Sequence, residues 1–535
     1  MEFDYVIAGG GSAGCVLAAR LSENPDVTVC LLEAGGEGKD VLIRAPLGAA
    51  VMLPGYGKIN NWALQTVPQK GLNGRRGYQP RGRTLGGSSA INAMLYVRGA
   101  PSDYDDWQAG GADGWGWDDV LPWFRKSERN ENGADALHGS SGPLQVANQR
   151  TPQAVTKAFI EAATQCQYPF NPDFNGPRQE GAGLYQVTQF FDEGRKGERC
   201  SSAAAYLHPV MNRPNLTVIT RARASELLFS GRKAIGVAYV QGAQTSLAKA
   251  RREVIVCGGA FGSPHLLMIS GIGPETHLRK HGIAVRRDVP GVGQNLQDHL
   301  DFILAWTSKI AGGLALSPAG ALELFRQMLR WRKDGSGLIA SPGAEGAAFL
   351  KTDPALERPD IQLHFVPGMV DDHLRKLHYG YGFSCHVCVL RPKSRGSVTL
   401  ASAAPLAAPQ IDPAYLSNSE DLELTIKGAK IVERILNAPA LAPYRKTELY
   451  TANAKSDADW EQHIRARADT IYHPVGTCKM GKDKMAVVDP HLRVHGFDGL
   501  RVVDASVMPS LIGGNTNAPT IMIAERAADW ITKAQ

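Results

Sequence analysis

The segment FDYVIAGGGSAGCVLAARLSENPDVTVCLLEAGG, Phe3 to Gly36, constrains this chain more than any other. A short β-prone run, Tyr5 to Ala8, meets glycines spaced G-x-G-x-x-G at Gly9, Gly11 and Gly14. A helix is expected over Ser12 to Leu21, followed by a second strand, VTVCLLE, that ends on Glu33. The three glycines have separate tasks: a tight turn, close approach of backbone to a pyrophosphate, and close packing of helix on strand. The helix start, at Ser12 and Ala13, supplies free N–H groups and a partial positive charge for phosphate. Glu33 can accept hydrogen bonds from a ribose, which disfavours a 2′-phosphate and therefore NADP. Strand, turn, helix, strand and acid together specify a Rossmann-like dinucleotide site. They leave NAD and FAD both open.

A chain of 535 residues exceeds what one hydrophobic core usually supports, so two domains are expected. Its 58 glycines are roughly half again the usual share, which suits many tight turns and close approaches to a ligand. A net charge of +6 is small for this length, and no Lys/Arg block reads as a nucleic-acid footprint. Eight scattered cysteines favour reduced thiols and a cytoplasmic setting over a disulfide framework. The lone C-x-x-C at Cys385 and Cys388 lies in a strand-like run with no second ligand pair nearby, so no metal is expected there. No apolar run reaches the roughly 20 residues of a membrane span.

Five further blocks follow in order. They are GRTLGGSSAINAMLYVRGAPSDYDDW (Gly82–Trp107), GAFGSPHLLMISGIG (Gly259–Gly273), VGQNLQDH (Val292–His299), YHPVGTCKMG (Tyr472–Gly481) and RVVDASVMPSLIGGNTNAPTIMIAERAAD (Arg501–Asp529). These resemble the signatures of the glucose–methanol–choline (GMC) oxidoreductases over essentially the whole chain. Within that family the likeness is to bacterial FAD-dependent primary alcohol dehydrogenases of the choline-dehydrogenase-like branch.

The resemblance implies an α/β, two-domain fold: a Rossmann-like FAD-binding domain beside a substrate domain built on an antiparallel sheet and helices. The first would be assembled from about 1–150, 210–300 and 455–535, the second from 151–209 and 301–454. FAD would then occupy the dinucleotide half. The consecutive small residues of LGGSS, Gly86 to Ser88 among them, let backbone N–H groups approach the cofactor without Cβ obstruction, Arg83 and Leu85 are implied contacts beside them, and Asn92 can add a side-chain hydrogen bond. Ala93, Met94 and Leu95 continue that wall. The resemblance also implies contacts from Ala34, from Ala224 at the adenine, and from Asp504, Ala505, Asn517 and Thr520 near the flavin. Relatives with a covalently attached flavin carry a His where this chain has Ile91, so the FAD is expected to be noncovalent.

The same resemblance brings His473 and Asn517 to the reacting face. His473 suits a base for the hydroxyl proton, since an ordinary imidazole is largely neutral at physiological pH. Asn517 can donate to the oxygen as charge develops. Asn515 is its rival two residues earlier, set aside because the family spacing matches Asn517. Tyr472 is expected in the substrate pocket. His299, His364, His378 and His386 read as surface or structural groups.

The expected activity is oxidation of a primary alcohol to an aldehyde, with electrons passed to a quinone or another acceptor. The alternatives are an oxidase of the same family that uses O2, and a non-redox lyase on the same scaffold. FSCHVCVLRPKSRGSVTLAS reads as a hairpin turning at KSRG, and DLELTIKGAKIVERIL as an amphipathic helix. ALELFRQMLRWRKDG, from Ala321, puts Leu322, Phe325, Met328 and Leu329 on one helical face among Arg326, Arg330, Arg332 and Lys333. Packing against the protein body is the commoner outcome for such a helix. The alternative is peripheral membrane contact through 321–333.

Overall fold

The computed structural model describes residues 1–533. Its first sheet is built around the strand Glu2–Ala8, which pairs in parallel with Val29–Leu32 and with the long strand Gln244–Val256. Leu216–Ile219 and Leu500–Val502 extend the parallel layer on either side. Every residue of Val29–Leu32 is buried, as in a parallel sheet covered on both faces. An antiparallel arm follows the edge, Ala222–Ser230 and Lys233–Gln241, joined at the Ser230–Gly231 turn read from the sequence.

The helix Ser12–Leu21 leaves this sheet through the glycine turn, with no side chain capping its start. A Cβ on Gly14 would lie 1.9 Å from the Gly9 carbonyl oxygen, so helix and strand can come this close only with glycine there. The last helix, Asn517–Lys533, packs on Ser12–Leu21. Arg20 grips the fully buried carboxylate of Glu525 with Nε and Nη2 at 2.7–3.1 Å, and Tyr206 donates to the same group. That pair fixes the two helices whose first residues, Ser12 and Asn517, meet at the site.

The second sheet is antiparallel. Its order is Arg445–Glu448, Leu300–Ser308, Gly382–Val389, Ile361–Val366, Gly346–Leu350, Gly181–Leu184, with Asp469–Thr470 also paired to Leu300–Ser308. Alternate residues sort its two faces. Phe302, Leu304, Leu363, Phe365, Phe383 and Val387 form a core with the helices Ser419–Leu436 and Ala154–Gln165. The opposite face carries Asp301, Gln362, His364, Ser384 and His386, all buried.

Two expectations are corrected here. The strand Gly382–Val389 does not form a hairpin with the residues after KSRG. It pairs with Leu300–Ser308 and Ile361–Val366, while Ser397–Thr399 pairs with Gln410–Asp412. The helix Pro318–Asp334 also fails to bury its apolar face: Leu322, Phe325 and Leu329 are 53%, 61% and 55% exposed. Its buried anchor is Trp331, packed with Ala45, Ile339 and Ala340 and donating to the Gly197 carbonyl at 2.9 Å, while Gln327 accepts from the Leu338 N–H at 3.0 Å. Among the described residues no helix is long and apolar enough to cross a membrane.

Candidate active site

One cavity of about 910 Å3 runs between the two sheets, a volume in the range of cofactor and ligand sites. Its dinucleotide end is walled by Gly9, Gly11, Ser12, Ala13, Glu33 and Ala34. Glu33 accepts from the Gly10 N–H at 2.9 Å and the Gly35 N–H at 2.7 Å, which ties the glycine turn to the end of the second strand. Burial pushes this carboxyl up to about 7, although the Gly35 and Gly10 N–H groups and the Arg83 charge oppose it. A Cβ at Gly11 or Gly259 would meet open cavity, so the turn and the start of helix Gly259–Ile269 leave bare backbone facing the space. Arg83 and Arg223 both lie against the Trp62 ring, 4.9 and 5.1 Å from its centroid, beside Ala224.

The middle of the cavity is formed by Ser88, Ile91, Asn92, Ala93, Met94 and Leu95, together with Asp504, Ala505 and Thr520. Asp504 accepts from the Gly259 and Ser506 N–H groups, both at 2.8 Å. Gly14, Leu85 and Gly86 do not line the space. Leu85 and Gly86 donate to the Gly36 and Gly10 carbonyls, so these three residues shape the wall from behind. The sequence reading missed Arg199. It is buried, and its guanidinium holds Asn92 at the carbonyl and at Oδ1, the latter at 2.9 Å.

At the far end stands His473. Its backbone N–H donates to Asp298 Oδ1 at 2.8 Å, and Asp298 Oδ2 accepts from Thr470 and Tyr415. Tyr472 sits at φ 77, a left-handed conformation costing an L-residue about 1–2 kcal/mol, held by its N–H on Thr470 and its carbonyl on Arg81 Nη2. That turn aims the next side chain, His473, into the cavity. Tyr472 lines the pocket as expected from the sequence, with its hydroxyl 2.7 Å from His373 Nδ1.

The hydrogen bonds around His473 assign its protons. A carbonyl oxygen only accepts, so His299 Nε2, 2.9 Å from the Leu390 oxygen, carries a hydrogen. Neutral His299 therefore presents a bare Nδ1, and His473 Nδ1, 2.9 Å away, must donate to it. His473 Nε2 is left with its lone pair. Asn515 Nδ2 donates to that lone pair at 3.1 Å, oriented by Gln362 Nε2, which donates to Asn515 Oδ1 at 3.1 Å. Burial, then the neighbouring His299, His364 and Arg81, hold the His473 imidazole well below its usual range, so it is neutral, with its lone pair at Nε2.

Asn517, the residue preferred from spacing, also lines the cavity, but its Oδ1 accepts from Ser12 Oγ at 2.9 Å. It joins the start of the last helix to the glycine turn. His299, His364 and His386 are all buried at this end, and His364 and His386 are cross-strand neighbours lining the cavity. The surface or structural reading of these three is corrected for location. The signal for His364 and His386 was polar residues at period two inside otherwise apolar strands, IQLHFV and FSCHVCV. His378 remains on the outside, partly exposed and bonded to Asp371 at 2.8 Å.

Family models described as GMC oxidoreductase match residues 3–301 and 392–524. The chain is a GMC oxidoreductase. This member is 48% identical to the alcohol dehydrogenase [acceptor] of Pseudomonas putida, over 99% of this chain and 96% of that one. It is 45% identical to human mitochondrial choline dehydrogenase, over 99% of this chain and 90% of that one. Among solved structures, pyridoxine 4-oxidase from Mesorbium loti superposes at TM-score 0.89 with 33% identity, covering 99% of each chain. A formate oxidase superposes at 0.91 with 28% identity, covering 100% and 98%. GMC enzymes are FAD flavoproteins, and the bare-backbone cradle at Gly11 and Gly259, the buried acid Glu33 and the open helix start at Ser12 fit that cofactor.

Proposed function

We propose that this GMC oxidoreductase oxidises primary alcohols to aldehydes, His473 Nε2 taking the hydroxyl proton. Bound FAD supplies the two-electron acceptor for the hydride from the carbinol carbon. The observation that carries the reading is the line Leu390 carbonyl, His299, His473, which leaves one imidazole lone pair facing the cavity. The substrate hydroxyl takes the place of the Asn515 amide at that lone pair and donates to it. The Asn515 amide, already turned toward the same nitrogen by Gln362, supports the oxygen as its proton leaves. Asn517 lines the same cavity, and its Oδ1 accepts from Ser12 Oγ, which ties the start of the last helix to the glycine turn. Noncovalent FAD is the reading consistent with Ile91 at the wall.

The decisive experiment is anaerobic reduction of the bound flavin by a panel of primary alcohols. A spectrum that stays oxidised with all of them sinks the proposal and leaves the non-redox lyase reading. The likeness to two oxidases favours a second reading, transfer of electrons to O2. Peroxide release against dye reduction, measured with one alcohol, separates it from the dehydrogenase.

We further propose a cytoplasmic protein that meets the anionic inner face of the membrane through 321–333 and passes electrons to a quinone there. The support is an uncovered apolar stripe of Leu322, Phe325 and Leu329 beside the exposed cations Arg326, Arg330, Arg332 and Lys333. Leu314, just before this helix, lines the cavity, so the stripe lies near its rim.

A further inference from the structure

One buried pair at the alcohol end has no part in proton removal. His386 Nδ1 lies 2.6 Å from Asp301 Oδ2, with the two side chains 8% and 6% exposed. His386 lines the cavity, and Asp301 does not reach its wall. The other Asp301 oxygen, Oδ1, is buried and has no hydrogen-bond partner. Ser384, whose hydroxyl is spent on the Gly368 carbonyl, lies 3.4 Å from His386 Nε2 and helps to seat the ring. The imidazole is thus a cover between the cavity and a carboxylate.

What this cover denies to a ligand follows from the rest of the wall. Glu33 and Asp504 are the carboxylates that line the cavity, and both stand at the dinucleotide side, tied to backbone N–H groups. The alcohol end has imidazoles at His364, His386 and His473, apolar side chains at Leu314, Val366 and Val370, and a single aromatic ring, Tyr472. A quaternary ammonium has no hydrogen to donate and needs a carboxylate or a cage of aromatic faces. Asp301, paired to the cavity-lining His386, is an acid placed to serve it, and its carboxylate is shielded behind that imidazole.

We propose that His386, by covering Asp301, is a specificity-determining residue that makes the site select uncharged primary alcohols over cationic ones such as choline. The inference rests on the alcohol-oxidation reading for its substrate class. Removing the ring joins its volume to the cavity and exposes the carboxylate, which turns a wall that rejects cations into one that accepts them. The neighbouring His364, with Nδ1 2.8 Å from the Tyr185 hydroxyl and Nε2 without a partner, stays as a donor for a neutral substrate.

The test uses FAD-loaded enzyme and two readouts. The first is the rate constant of anaerobic flavin reduction with 1-butanol and with choline. The second is the dissociation constant of each from perturbation of the flavin spectrum, which needs no turnover. Wild type is expected to prefer butanol in both. His386→Ala should move the preference toward choline by at least about tenfold, equivalent to about 1.4 kcal/mol. Adding Asp301→Asn should return it, and His386→Gln, which keeps a cover and a donor to Asp301, should hold the wild-type preference. Wild type binding choline as well as butanol, or an unchanged preference in His386→Ala, overturns the proposal. If no alcohol reduces the flavin, the oxidation reading fails, while the binding ratios still decide what His386 does.

Discussion

His299 Nδ1 and His473 Nδ1 face each other at 2.9 Å, two like atoms of which one must donate. The Leu390 carbonyl decides which, because it claims the His299 proton at Nε2. His299 is therefore a positioning residue, fixing the tautomer in which His473 Nε2 is bare. His299→Ala is expected to lower the flavin-reduction rate constant about 10–100-fold, the usual cost of losing an orienting partner. His299→Asn, whose amide oxygen can accept from Nδ1, should recover much of it. A purely structural His299 would instead lower FAD content or thermal stability in both variants and leave the rate of the surviving holoenzyme unchanged.

The base itself is tested by His473→Ala. Loss of a general base removes about 10²–10⁴ in rate, and FAD should remain bound, since His473 stands at the opposite end from the glycine turn. Asn515→Ala should follow with a loss of about 10²–10³, the cost of one oxyanion donor. Were Asn517→Ala the more damaging to reduction at full FAD occupancy, the donor would be Asn517.

Burial shapes the pH dependence. An imidazole held below its usual range is neutral from that lowered value upward, so acid, not base, inactivates it. The profile of kcat/KM for flavin reduction is expected to run level through pH 6.5, the ordinary histidine value, and to fall only well below it. A clear acid limb centred at or above 6.5 would show that His473 is not the titrating base.

The parts legible in the sequence are those written locally. The turn at Gly9 and Gly11 and the close helix–strand contact at Gly14 are legible because they lie within six residues. Tyr472 and His473 share one loop and are legible for the same reason. His364 and His386 come from two strands, and His299 from the loop entering a third, that meet only through pairing, and strand partners are a non-local choice, as the misread KSRG hairpin shows. Asn515 and Asn517 sit on one turn two residues apart. Spacing from His473 cannot tell which amide reaches the imidazole, because that depends on Gln362, about 150 positions away in the chain.

The contact between Arg20 and Glu525 gives a stability prediction. Glu525 is fully buried, and removing it leaves the largely buried Arg20 charge without its carboxylate. Glu525→Ala should cost about 3–5 kcal/mol, read as a lower unfolding midpoint in denaturant. FAD should also be held more weakly, because the same two helices carry Ser12 and Asn517 into the site. A loss below about 1 kcal/mol would mean that Arg20 finds water or another partner.

The uncovered stripe on Pro318–Asp334 makes the membrane proposal directly testable by flotation. Vesicles of phosphatidylcholine with about a third phosphatidylglycerol should carry the protein upward, and pure phosphatidylcholine should carry less, because each interfacial Lys or Arg adds about 1 kcal/mol on an anionic surface. Replacing Leu322, Phe325 and Leu329 together by Glu removes the apolar contact and reverses local charge. None of the three touches the cavity, so flavin reduction by a water-soluble alcohol should persist while flotation is lost. Equal recovery of the variant and the parent with anionic vesicles would place the lipid contact elsewhere. No flotation of the parent on either vesicle would end the membrane proposal and leave the stripe without a partner.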